Sequence, residues 1–131
     1  MEINLNKKGK LSLSGFHHDL KNAIEKSGTI KFVNKIFNEH GCYSAELIMD
    51  GLRVPKTFFP AHWPREKVVS KIHEAYNNFI KSGVIPELGG DGKYFIRALT
   101  NEGMEIEMYF TIGGEMKTAY PRLPVEIYGI R

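Results

Sequence analysis

Residues 104–112 alternate strictly between two kinds of side chain, and this pattern constrains the fold more than any other feature of the sequence. Successive side chains of a strand point to opposite faces, so the pattern predicts a strand with one apolar and one polar face. The apolar face consists of Met104, Ile106, Met108, Phe110 and Ile112. An apolar sheet face has to be covered, so the chain must supply an element that packs on it.

A long amphipathic helix, predicted over residues 64–82, is the second clear element. Its apolar side chains recur at three- and four-residue spacing, as on one face of a helix. Pro64 suits the first turn of this helix, and Gly83 suits its end. We expect the helix to pack on a face of the predicted sheet.

Several shorter segments have the composition or the alternation of strands. They are residues 9–15, 29–37, 42–49, 52–54, 94–99, 116–120 and, as an edge strand, Val125–Ile130. Asp50-Gly51 is a hairpin signal between two of them, and residues 84–92 are predicted to be a loop. A shorter helix is predicted from Asp19, its N-cap, to Gly28. Because strands and helices do not alternate regularly, the predicted fold is α+β with mainly antiparallel sheets.

The composition argues against several classes of protein. No apolar run approaches the ~20 residues that a membrane span requires, and no basic start with a following apolar region predicts a signal peptide. A single cysteine, Cys42, excludes a disulfide framework within one chain and a multi-cysteine zinc site. The glycine motifs of dinucleotide-binding and P-loop proteins and the G-x-S-x-G motif of acyl-transfer enzymes are also missing from the sequence.

Positive charge is concentrated in the first third of the sequence. Residues 1–40 contain seven lysines and four acidic residues, whereas residues 41–131 contain eleven residues of each sign. The formal net charge of +3 therefore comes from the first third. Two interpretations are open, namely a solvated lysine-rich surface and a local basic patch for a phosphate backbone.

Histidines are the candidates for acid–base chemistry, because the imidazole titrates near neutral pH. His17 and His18 lie between a predicted strand and the predicted N-cap Asp19, where a side chain can face a cleft. The alternative is that they are two surface histidines beside a helix cap. His40 precedes Gly41 in a loop and is a weaker candidate.

Three further residues of reactive type have a structural interpretation. His73 lies inside the predicted helix, and His62 precedes Trp63 in an aromatic segment that we expect to pack as an anchor. Cys42 is expected to be a small buried hydrophobe, and a cysteine–histidine nucleophile pair is the alternative. Neighbouring histidines rarely ligate one metal ion together, so the sequence predicts no metal site.

Thr118 and Tyr120 lie at the end of a predicted strand. Their spacing of two residues places both hydroxyl groups on one face of that strand. Two hydroxyl groups in register can donate hydrogen bonds to phosphate oxygens. The other interpretation is that they are two ordinary strand-forming residues.

Six blocks of the sequence, taken in order, resemble a known family. They are Ser14–Asp19, Gly41–Ala45, Lys56–Trp63, Pro64–Val69, Gly103–Tyr109 and Thr118–Pro121. With T-F-F-P-x-x-W and T-A-Y-P among them, the blocks are similar to the bacterial EndoU endoribonuclease domain. That domain is found at the C-termini of polymorphic toxins, including those of contact-dependent inhibition. The resemblance covers nearly the whole chain.

The resemblance implies an α+β fold with antiparallel sheets, a central cleft and helices packed outside, and residues 1–131 as a single nuclease domain. It also implies a metal-independent ribonuclease without a cofactor. In such an enzyme a histidine base takes the proton of a ribose 2′-OH, and that oxygen attacks the adjacent phosphate. An acid protonates the leaving 5′ oxygen, and a 2′,3′-cyclic phosphate results. The protein supplies the acid–base groups and the donors for the phosphorane oxygens.

The resemblance also implies roles for individual residues. His17 matches the second histidine of the family and is the first candidate for a catalytic residue, and His18 is the adjacent alternative. Thr118 and Tyr120 match the third catalytic position, where bacterial members often carry hydroxyl groups.

The substrate contacts and the first histidine of the family complete the expected site. His40 and Lys56 are expected to bind the RNA. The first histidine of the family lies in an H-x-x-x-G-E segment, and residues 2–4 (Glu-Ile-Asn) resemble only the tail of that segment. Either the chain was cut just after this histidine, so that the domain is truncated at its N-terminus, or His18 or His40 takes its place.

Partners and location follow from the same resemblance. The expected substrate is RNA, with tRNA as one candidate, and a cognate immunity protein is expected to neutralise the nuclease. The domain would be secreted, or delivered from the cell surface, as the C-terminus of a larger toxin and would act in the cytoplasm of a target cell. The alternative function is a catalytically impaired RNA-binding module that keeps the EndoU fold.

Overall fold

The computed structural model describes residues 2–5, 11–89 and 92–123. Within these residues the strands are β1 (Glu2–Leu5), β2 (Leu11–Phe16), β3 (Lys31–Phe37), β4 (Tyr43–Met49), β5 (Leu52–Phe58), β6 (Glu87–Leu88), β7 (Tyr94–Leu99), β8 (Glu105–Phe110) and β9 (Met116–Pro121). The helices are a 3-10 turn (Leu20–Asn22), α1 (Ala23–Ser27) and α2 (Arg65–Ser82).

The strands form two sheets. The larger sheet has the order β1-β2-β9-β8-β7-β6, and the smaller one has the order β3-β4-β5. All neighbouring strands are antiparallel except β2 and β9, which run parallel. The predicted α+β class with mainly antiparallel sheets is therefore confirmed.

Helix α2 covers one face of the larger sheet, which confirms the prediction from the two periodic segments. One core contains the buried side chains of both elements, among them Val68, Ile72, Ala75, Ile106 and Met108. The other face of β8 carries Glu105, Glu107 and Tyr109, which point away from α2. Gly83 ends the helix with a φ of 74°, a backbone conformation that glycine adopts without steric cost.

The smaller sheet is built around the predicted hairpin. Asp50 and Gly51 have φ values of 50° and 77°, as a two-residue type I′ turn between β4 and β5 requires. The returning strand runs on to Phe58, well beyond the predicted residues 52–54, because every residue of β4 has a partner in β5. A second core lies on one face of this sheet and includes Tyr43, Ala45, Leu47 and Phe58.

The helix predicted from Asp19 to Gly28 is shorter than expected. Lys21 and Asn22 have φ values of 54° and 58°, which interrupts the helical backbone, so a 3-10 turn precedes α1. The Asp19 carboxylate still acts as a cap, because it accepts two backbone N–H groups of the first turn of α1 at 2.7 and 3.1 Å. Gly28 ends the helix as predicted.

The remaining predictions on secondary structure have mixed outcomes. The predicted loop 84–92 contains the two-residue strand β6, and the predicted edge strand Val125–Ile130 lies outside the described residues. Trp63 is buried in the core beneath α2, which confirms its role as an anchor. In the part of the chain that the structure describes, no helix has both the length and the apolar character needed to cross a membrane.

Candidate active site

The two sheets meet at the residue that follows β2. The His17 N–H donates to the carbonyl of Ala119 at 3.0 Å, and the His17 carbonyl accepts the N–H of Phe59 at 2.9 Å. Thr57 of β5 also links the two sheets, because its hydroxyl donates to the carbonyl of Pro121 in β9 at 2.6 Å. The backbone of His17 is therefore fixed between β9 of one sheet and the end of β5 of the other.

The His17 imidazole has a defined proton arrangement. Its Nδ1 lies 3.2 Å from the backbone carbonyl of Thr57, which can only accept a hydrogen bond. The proton of the neutral ring is therefore on Nδ1, and the lone pair is on Nε2. Burial, together with the positive charge of Lys56, lowers the pKa of His17 to about 4, against a smaller opposing effect of the Thr57 carbonyl. At neutral pH the ring is uncharged and can accept a proton at Nε2.

The aromatic ring of Tyr120 lies against that imidazole. The two ring centroids are 5.0 Å apart, and the ring planes differ by 23°. The strand register explains this contact. Gly15 pairs with Thr118, so His17 and Tyr120, two positions further along, lie side by side on the same sheet face. Thr118 lies half-buried on the same face. The structure thus places His17, Thr118 and Tyr120 on one face of the larger sheet, with His17 and Tyr120 in contact.

Lys56 and His40 lie on the side of the smaller sheet. Lys56 precedes Thr57 on β5, is half-buried, and is close enough to His17 for its charge to affect the imidazole. The turn that carries His40 joins β3 to β4 at the end of the sheet where β5 reaches His17. The His40 side chain is 23% exposed, and its Nε2 lies 3.4 Å from a carboxylate oxygen of Glu39.

His18 does not join this group. Its imidazole lies by the carbonyls of Pro60 and Trp63, whereas that of His17 faces Thr57 and Tyr120. The Nε2 atom of His18 is buried and has no hydrogen-bond partner among the residues that the structure describes. Burial lowers the pKa of His18, and the two carbonyls offset this effect in part.

The other reactive side chains have structural surroundings. Cys42 is fully buried, with its Sγ 3.2 Å from Met104 Sδ, and burial raises the pKa of its thiol to about 12. The thiol stays protonated, so the prediction of a buried hydrophobe is confirmed. His62 and His73 are exposed. Over residues 2–5, 11–89 and 92–123, no three His, Cys, Asp or Glu side chains are grouped so that they could hold a metal ion.

Comparison with known proteins shows which family the sequence belongs to. The family described as Bacterial EndoU nuclease matches residues 3–123. The chain belongs to the bacterial EndoU nuclease family. The match includes all six sequence blocks that resemble EndoU domains, so the resemblance is confirmed.

One relative and the solved structures complete the comparison. A protein named "Toxin" from Bacillus cereus is 33% identical to the EndoU chain over 117 residues. The matched region is 82% of this chain and 19% of the relative, so the chain spans about a fifth of the length of that protein. No solved structure matches the chain significantly.

Sequence reasoning missed two residues of the candidate site. Thr57 holds Nδ1 of His17 through its backbone carbonyl, and a carbonyl has no signature in the sequence. Glu107 lies on the polar face of a predicted strand, a position that is typical of a solvated carboxylate, yet it is buried. Both residues lie in sequence blocks that resemble EndoU domains, Thr57 in Lys56–Trp63 and Glu107 in Gly103–Tyr109. That resemblance was a signal for these regions of the sequence.

We expect acid to destabilise the folded EndoU domain through His17. The folded-state pKa of about 4 lies below the ordinary 6.5, so the unfolded chain binds this proton first and stability is lost as the pH falls between these values. At about 1.4 kcal/mol for each pKa unit, the free energy of unfolding loses about 3 kcal/mol between pH 7 and pH 4. Urea denaturation of the wild-type protein and of His17→Asn at several pH values measures this loss. The same pH dependence in both proteins would contradict the buried, neutral imidazole.

Proposed function

We propose that this chain is the nuclease domain of a toxin that cleaves RNA by attack of a ribose 2′-OH on the adjacent phosphate. The observation that carries the proposal is the His17 imidazole, which is neutral at physiological pH and has its lone pair on Nε2 because Thr57 holds the proton on Nδ1. Membership of the EndoU nuclease family and the relative named "Toxin" support it.

In the proposed reaction His17 is the general base. Its Nε2 takes the proton of the 2′-OH, and the oxygen attacks phosphorus to give a 2′,3′-cyclic phosphate. The nucleophile belongs to the RNA, so the protein needs no reactive serine or cysteine. The requirement for a 2′-OH also makes the reaction specific for RNA over DNA.

Hydroxyl and ammonium groups beside His17 would stabilise the phosphate as its charge increases. Thr118 lies on the same sheet face as Tyr120 and has a hydroxyl group that can donate to a phosphorane oxygen. Lys56 supplies a positive charge whose influence reaches His17, so it would attract the phosphate to the base. We therefore assign Thr118 to catalysis and Lys56 to substrate binding.

The leaving 5′ oxygen needs a proton donor, and we assign this role to His40. Its turn lies at the end of the smaller sheet that adjoins His17, and its side chain is partly exposed. His18 is a poorer donor, because its Nε2 is buried and burial lowers its pKa, so the ring holds no extra proton at neutral pH.

The toxin proposal includes delivery and a partner. A match to a fifth of the toxin relative fits one domain of a longer protein. In this proposal the domain is carried at the C-terminus of a protein that is secreted or displayed at the cell surface. Its target would be RNA, for example tRNA, in the cytoplasm of another cell. The producing cell would need an immunity protein, and an acidic inhibitor would be steered to the lysine beside the base.

We expect the purified chain to cleave total RNA and tRNA in excess chelator. The reaction needs only acid–base groups and hydrogen-bond donors, so removal of metal ions should not stop it. Fragments analysed by mass spectrometry should end in 2′,3′-cyclic phosphates. Addition of the immunity protein encoded beside the chain should stop the cleavage.

A matched substrate tests the mechanism directly. An oligonucleotide that carries 2′-deoxyribose at the cleaved position lacks the proposed nucleophile and should stay intact. Cleavage of this oligonucleotide would contradict attack by the 2′-OH. Salt-dependent binding of RNA without turnover would instead support the RNA-binding module as the function.

A further inference from the structure

Glu107 is a buried carboxylate on the face of the larger sheet that carries the candidate active site. It lies in register between Arg97 of β7 and Tyr120 of β9, and it is 5% exposed. One carboxylate oxygen accepts the Nε–H of Arg97 at 2.8 Å. The other accepts the hydroxyl groups of Tyr120 and of Tyr109, the latter at 3.0 Å. These bonds make burial of the charge tolerable.

The same row of side chains continues to the proposed base. Tyr120 donates its hydroxyl to Glu107 and places its ring on the imidazole of His17. Arg97, Glu107, Tyr120 and His17 therefore form a continuous row of contacts across one sheet face. We call these four residues the Glu107 row.

The charge states within the Glu107 row agree with its hydrogen bonds. Burial alone would raise the pKa of Glu107, but bonds from Tyr120, Arg97 and Tyr109 outweigh it and lower that pKa. Burial and the neighbouring carboxylate raise the pKa of Tyr120. The carboxylate is therefore charged, the tyrosine keeps its proton, and that proton is committed to Glu107.

We propose that Glu107 is a positioning residue that holds the Tyr120 ring against His17 and so fixes the direction of the Nε2 lone pair. The hydrogen bond at Nδ1 holds one edge of the imidazole, and the Tyr120 ring against its face restricts rotation about the bond to Cβ. The catalytic part of the inference rests on the proposed function. The arrangement of the rings does not.

Glu107 cannot itself exchange a proton with the substrate in this arrangement. Both of its oxygens are engaged by donors, and Tyr120 lies between it and His17. The hydroxyl group of Tyr120 already donates to Glu107. In this proposal Tyr120 therefore acts through its ring and not as a donor to phosphate.

The test combines NMR of the His17 ring with steady-state kinetics. Glu107→Gln keeps the shape of the side chain but removes its charge and one acceptor. We expect the His17 ring resonances to move, because the ring current of Tyr120 changes, and kcat to fall about 10-fold with KM within about twofold. In the Tyr120→Phe background the same substitution should cause no further loss, because the bond it acts through is gone.

Tyr109→Phe is the matched control, because it removes the other hydroxyl that bonds to the same oxygen of Glu107. It should leave the His17 resonances close to those of the wild-type protein. If Glu107→Gln unfolds the protein, Tyr120→Phe alone should move the same resonances, since Arg97 and Tyr109 still hold the carboxylate.

The outcomes separate this inference from the proposed function. Unchanged His17 resonances in folded Glu107→Gln or Tyr120→Phe would overturn the positioning role even if the wild-type protein cleaves RNA. Shifted resonances without any cleavage of RNA by the wild-type protein would uphold the arrangement and overturn the ribonuclease. Losses of kcat that add fully in the double variant would also overturn the positioning role.

Discussion

Replacement of His17 by asparagine is expected to lower the rate of RNA cleavage by about 10³-fold, as loss of a general base does. Asparagine is the sharpest substitution here, because its amide N–H can take the place of Nδ1–H and donate to the Thr57 carbonyl. It keeps a donor for the Thr57 carbonyl but removes the nitrogen that we assign as the base, together with the rest of the ring that lies against Tyr120. The initial rate on tRNA, measured per folded molecule with the unfolding midpoint as the check on folding, gives the result.

His73→Asn provides the matched control, because His73 is exposed on α2. The rate of this variant should equal that of the wild-type protein within error. A folded His17→Asn protein that cleaves RNA at nearly the wild-type rate would remove His17 from the reaction and leave His40 as the residue to test.

Removal of the Thr118 hydroxyl is expected to lower kcat by about 10²-fold, the usual cost of losing one donor to a transition-state oxygen. Thr118→Val is the isosteric change and keeps a β-branched side chain in β9. The affinity for RNA should change much less than kcat, because the hydroxyl is proposed to bond to charge that develops only in the transition state. Single-turnover cleavage and equilibrium binding separate the two quantities.

The valine substitution is controlled by Thr29→Val, at an exposed threonine outside the site. Its kcat and its affinity for RNA should stay at the wild-type values. An outcome in which Thr118→Val weakens binding but leaves the chemical step intact would make Thr118 a binding residue rather than a donor to the transition state.

Local sequence patterns predicted the helices and strands whose formation depends on residues near one another in the chain. The periodicity of residues 64–82 and of residues 104–112 requires one apolar face each, and the structure packs these two faces together. The prediction over Asp19–Gly28 was less accurate. Asparagine adopts a positive φ more readily than most residues, but nothing in the residue type of Lys21 indicates one. The Lys21 N–H donates to the carbonyl of Ala61, so this segment is held beside the smaller sheet.

The site itself depends on contacts between distant parts of the chain. The residue types at His17, Thr118 and Tyr120 were identified from the sequence through chemistry and the resemblance to EndoU domains. Their proximity, however, comes from the parallel pairing of β2 with β9, and no local pattern specifies that register. The burial of Glu107 has no local signature for the same reason, since its partners come from three different strands.

The parallel ladder between β2 and β9 also has a consequence for protein synthesis. Gly15 and Thr118 are paired although they are on the order of 100 residues apart, and such non-local contacts form late in folding. A nascent chain on the ribosome therefore presents His17 long before it contains Thr118 or Tyr120. For the proposed ribonuclease, a product arrested before β9 carries the base without its neighbours. The ribosomal RNA that surrounds the growing chain meets an assembled site only after translation has passed β9.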